Sequence, residues 1–144
     1  MRGIHEVLGI AVLASSALAG AWGAMAWRRQ SPSTIFWYLL RAAQVIVVAE
    51  AVVGLILAAQ GKHVAAIHYV YGISPLVVSL FSEGARITVA SATVADVGDV
   101  EALERREQVL LARRIVLREI GVMTIGAILI VTLSLRAAST GGGF

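Results

Sequence analysis

The chain has 144 residues, of which 58% are hydrophobic and only 15% charged; with a mean hydropathy of +0.84 it is too apolar for a soluble domain of ordinary make-up. The absence of cysteine excludes disulfides, thiolate zinc sites, iron–sulfur clusters and c-type haem attachment. The net charge of +3 comes from basic residues set beside apolar runs rather than gathered in one soluble patch, so they read as membrane-topology signals and no nucleic-acid partner is expected.

Crossing the hydrocarbon layer takes roughly 20 residues per helix, so this length allows four spans and leaves no room for a separate catalytic domain. The fold class expected is all-α: one integral membrane four-helix bundle over residues 1–144, with spans near residues 5–27, 35–60, 63–86 and 115–136. The first span is an uncharged run from Val7 to Trp27 that stops at Arg28 and Arg29. A signal peptide cleaved after Ala17-Leu18-Ala19 is the alternative; the apolar run continues past that point to Trp27, which favours a retained helix.

Ser31-Pro32-Ser33 is a turn and N-cap signal for the second span, and Gln60-Gly61-Lys62 is its exit. The short connection that follows makes spans two and three an antiparallel hairpin. Pro75 predicts a kink in the third helix, which has the composition to continue past Glu83 and Arg86 toward Ala95. Asp96-Val97-Gly98-Asp99 reads as a turn, and residues 99–114 as a charged helix, in water or at the headgroups, that extends the fourth span. The three glycines before Phe144 suggest a loose tail.

Nine of the twelve basic residues, from Arg28 to Arg41 and from Arg86 to Arg118, belong to one side; Arg2, Lys62 and Arg136 belong to the other. The expectation is a multi-pass protein of the plasma or inner membrane with both termini outside, and with Trp27, Phe36, Trp37 and Tyr38 at the inner interface. Span one carries His5, Gly9, Val12, Ser16, Gly20, Gly23 and Trp27 on one helical face. Span three carries His68, Gly72, Pro75, Ser79, Ser82 and Arg86 at similar spacing. Small residues let helices approach in lipid, so both stripes, with Gly54, Ala58, Gly121 and Gly126, are expected inside the bundle.

Glu50 falls midway through span two, where an ionised carboxylate costs at least a few kcal/mol, so it should face protein or water. It serves either as a bonded interhelical contact or in proton or ligand traffic. Arg41 and Gln44 sit one turn apart on another face, with Arg41 near enough to the inner boundary to snorkel. Gln44, Tyr69, Tyr71, Glu83 and Arg86 complete the candidate polar network.

His5 and His68 both fall near the outer leaflet, where two facing imidazoles form a workable pair of axial ligands for haem b, with His63 as a substitute ligand. A metal site of His5, Glu6 and His68 is a less specific alternative; apart from haem iron no metal is expected. No HExxH, GxSxG or phosphate-binding loop is present. Two functions follow. One is a small non-catalytic subunit of a larger membrane assembly, of respiratory or other energy-transducing kind, docked on lipid and on other subunits or further copies of itself. The other is a b-type haem protein exchanging electrons with quinone.

Overall fold

A computed structural model describes residues 2–61 and 65–140. It contains four helices, α1 Arg2–Arg28, α2 Thr34–Ala59, α3 Ala66–Ala95 and α4 Arg105–Thr140, and no strand among the described residues. All four are long and apolar enough to cross a membrane, and the make-up is that of a multi-pass membrane protein.

Local chemistry explains the element ends. Ser33 caps α2: its hydroxyl accepts from the Phe36 amide at 3.3 Å and from Trp22 Nε1 at 2.9 Å, so one oxygen both starts the helix and fastens it to α1. Gln30 turns the chain with φ of 50°, and its carbonyl accepts from Arg113 of α4 at 2.8 Å. Helix α3 runs through Pro75 and ends at Ala95, reaching the longer limit expected from its composition.

The charged segment expected to be helical from residue 99 divides in two. Asp99 Oδ1 accepts from the amides of Glu101 and Ala102 at 3.0 and 3.3 Å, closing a turn on itself. That local bonding competes with helix formation, and α4 begins only at Arg105, with the Glu107 carboxylate accepting from the Glu104 amide at 3.2 Å.

Helix α4 is the centre of the packing, lying against both α1 and α3, while α2 lies against α1. Helices α2 and α3 are neighbours in sequence but touch only sparsely, so the hairpin expected from the short connection is loosely closed. The reason lies in the surfaces. Gly20 of α1 and Gly126 of α4 let α4 approach α1 and α3 closely: a Cβ on Gly20 would stand 3.2 Å from Ile128, and one on Gly126 would collide with Ser82. Gly72, expected on the packing seam of α3, has no neighbour within 4 Å of such a Cβ and belongs to an open face.

Two apolar layers fill the interior. Ala26, Phe36, Leu40, Ile120 and Met123 pack at the end where α1 meets α2, with Trp22, Trp37 and Val116 around them. Val12, Val47 and Ile130 form a second layer farther along, flanked by Ile46, Leu76 and Val78. Outward-facing Val45, Leu80 and Phe81 are exposed, as suits a molecule whose solvent is hydrocarbon.

Candidate functional site

Polar side chains gather at two levels of the bundle, one on each side of the Val12–Val47–Ile130 layer. At the first level, short connections bring the N-terminal part of α1 beside the C-terminal half of α2. Gly9 then faces Glu50, and His5 faces Gly54, where added Cβ atoms would lie 3.4 Å from Glu50 Oε1 and His5 Cε1 respectively. The two glycines leave space for the larger side chains opposite.

Within that space His5 Nδ1 stands 3.0 Å from Glu50 Oε1. The contact is one of proximity rather than an aligned hydrogen bond, since Nδ1 and the other carboxylate oxygen, Oε2, are buried with no hydrogen-bond partner among the described residues. Glu50 is largely buried, its side chain 17% exposed, and it faces protein. His68 of α3 completes the cluster, with its ring centroid 6.1 Å from that of His5 and the ring planes at 80°. The Ala137 carbonyl lies 3.0 Å from His68 Nδ1. A carbonyl only accepts, so in this contact Nδ1 carries a proton and donates it.

The structure thus brings His5, Glu50 and His68 together from three helices. Tyr69 stacks edge-on to His68 at 6.4 Å, and Tyr71 faces Arg136, whose Cζ is 5.9 Å from its ring. His63 lies outside the described residues. The carboxylate beside His5 belongs to Glu50 and not to Glu6, which was the candidate for a three-ligand metal site; among the described residues no three His, Asp or Glu side chains are arranged to hold a metal ion.

Haem demands more than two facing imidazoles. The macrocycle needs a slab of open space between the rings that extends well past their edges. Here the two rings stand edge to face at 80°, with centroids 6.1 Å apart, and Gly54 of α2 lies opposite His5 Cε1.

At the second level, four charges cancel. Glu83 of α3 accepts from Arg41 at 2.5 Å and from Gln44 at 2.8 Å through Oε1, and from Arg86 through Oε2 at 2.9 and 3.0 Å. Arg86 continues to Glu119 of α4 at 2.9 Å. Both guanidinium groups lie over the Trp37 ring, Arg41 at 5.9 Å and Arg86 at 5.5 Å. Arg41, expected to snorkel toward the boundary, reaches across to α3 instead and remains half exposed. Two cations and two anions held this closely tie α2, α3 and α4 together without net charge, the arrangement that low-dielectric surroundings favour.

Sequence reading missed Glu119 as a member of this network, and Glu50 as the partner of His5. The first signal is present in the α3–α4 pairing: once Gly126 is set against Ser82, one turn along α3 to Arg86 and two turns back along α4 to Glu119 bring two long side chains to the same end of the seam. The second follows similarly from setting Gly9 against Glu50.

No protein-family model, curated protein or solved structure matches this chain.

Proposed function

We propose that this chain is a small non-catalytic integral membrane subunit that docks on a larger assembly in the plasma or inner membrane, with the arginine-rich end of the bundle facing the cytoplasm. The observation that carries this reading is the length and surface of α4. Its 36 residues extend about 54 Å at 1.5 Å per residue, well beyond a hydrocarbon layer of about 30 Å. Over its first turns Arg105, Arg106, Glu107, Gln108, Arg113 and Arg114 are exposed, and so are Val109 and Leu110, 63% and 52% respectively. Apolar side chains on a charged helix that projects from the membrane are a surface for a protein partner.

Support also comes from the interior, where the charged groups of α2, α3 and α4 are engaged with one another. A photo-crosslinking residue at Val109 is expected to trap one discrete membrane-protein partner in native membranes, and Val109→Glu with Leu110→Glu is expected to release the chain from its complex on native gels while the purified bundle keeps its helical circular dichroism. Migration of the unmodified chain as a free monomer, with no protein adduct at Val109, would reject the reading. The dithionite-reduced purified protein is expected to lack a Soret band; a band abolished by His68→Ala would replace this function with haem-based electron transfer.

A further inference from the structure

Hydroxyl groups are buried along the seam between the two polar levels, and several lack a partner. Ser16 is 1% exposed, and its hydroxyl makes no hydrogen bond among the described residues; Ser134 is likewise buried and unpartnered. An unbonded hydroxyl in a dry interior costs on the order of 1–3 kcal/mol, so its surroundings call for a partner. Ser16 lines a void of about 10 Å³ that it shares with Gln44, Ser79 and Ser82. That volume is about one water, and in an otherwise apolar lining the side chains of Ser16, Gln44, Ser79 and Ser82 are the polar groups that could bond it. Gln44 joins the void to Glu83, to which it donates at 2.8 Å.

The order along the helices is informative. On α2, Gln44 lines the void, Val47 is one turn on and Glu50 follows, so the two polar groups are about 9 Å apart along the axis. On α4, Ile130 borders the void and Ser134 stands one turn beyond it, toward the Ala137 carbonyl that bonds His68. On α1, Val12 separates Ser16 from Gly9 and His5. An apolar layer of Val12, Val47 and Ile130, each 5% exposed or less and flanked by Ile46, Leu76 and Val78, lies between the serine-lined void and the His5–Glu50–His68 cluster.

We propose that this seam is a proton path, running from the Glu83 level through the water held by Ser16, Gln44, Ser79 and Ser82 to Glu50 and His5, and held shut by the Val12–Val47–Ile130 layer. An apolar constriction of this thickness blocks conduction by staying dry. When water bridges it, a proton from the Glu83 side passes along the bridging waters to the Glu50 carboxylate. The carboxyl then passes a proton to the adjacent imidazole, and His5 releases one to the far side. Each group returns to its starting state, with one proton entering for every proton leaving. The facing titratable groups are His68 and Glu6 near His5 at one end, and Arg41, Arg86 and Glu119 around Glu83 at the other.

The test uses the purified full chain in lipid vesicles that trap a pH-sensitive dye, with flux driven by a valinomycin-clamped potassium gradient. It requires no partner, so its outcome is separable from that of the docking reading. Val47→Ser is expected to raise proton flux about tenfold over the unaltered protein by letting water wet the constriction. Glu50→Gln in the same background should return flux to the starting level, and Val45→Ser on the lipid-facing side of α2 should change nothing. Val12→Ser is the second opening variant should Val47→Ser not assemble. Flux that stays flat in a folded opening variant, or that persists after Glu50→Gln, overturns the proposal. Water-edited solid-state NMR of the unaltered protein reads the void directly: transfer from water to Ser16 is expected, and a dry Ser16 overturns the path.

Discussion

Glu83→Ala is expected to cost about 2–3 kcal/mol of bundle stability, read by tryptophan fluorescence during denaturant titration in detergent. Removing one partner of a buried ion pair costs about 3–5 kcal/mol because the other charge is left unpaired; the lower figure applies here because the Glu83 side chain is 25% exposed and water relieves part of the loss. Arg41, Gln44 and Arg86 all donate to this one carboxylate, so its loss removes the acceptor that the three share and loosens α2 from α3, a pair that touches only sparsely. Glu119→Ala removes only the outer bond to Arg86 and should cost less, about 1–2 kcal/mol. Equal effects from the two variants, or a Glu83→Ala protein within about 0.5 kcal/mol of the parent, the range of an ordinary surface site, would show that the network does not fasten the helices.

Gly23→Ala is expected to be the most damaging of the glycine replacements. Its Cβ would stand 3.0 Å from Phe36 Cδ2 and closer still to Thr124 Oγ1, and Phe36 is fully buried with no room to swing aside. Overpacking of this kind costs about 1–3 kcal/mol, and more where the neighbour is rigid. The informative comparison is Gly72→Ala, which meets nothing within 4 Å and removes a mid-helix glycine, so it should be neutral or stabilising by about 0.5–1 kcal/mol. Thermal unfolding of the two proteins in one detergent checks both. If Gly72→Ala proves as harmful as Gly23→Ala, the open face of α3 is closed by contacts that the isolated chain does not make.

These two glycines show where reading from residues alone reaches its limit. Both occupy a small-residue stripe of three- and four-residue spacing, and periodicity assigns both to a helix interface. Spacing specifies a face of one helix, however, and not what stands opposite. Gly23 meets the Phe36 ring because the Ser33 cap and the Trp22 bond fix how α2 folds back on α1. Gly72 meets nothing because α3 leans on α4 and leaves α2.

The four apolar helices, the Ser33 cap and the run of α3 to Ala95 were legible in the chain. Each follows from hydrophobic length and short-range bonding, which involve neighbours in sequence. The start of α4 was misplaced because Asp99 bonds its own following amides, a local competition that charge pattern does not reveal. His5 and His68 could be placed near one level by counting residues, whereas Glu50 as the partner of His5, Glu119 as the partner of Arg86, and the serine-lined void beside Val47 depend on the rotation of each helix about its axis. Lipid-facing and partner-facing positions are apolar alike in a membrane chain, so hydrophobicity does not fix that rotation. Interhelical packing around α4 fixes it, and with it which polar groups meet.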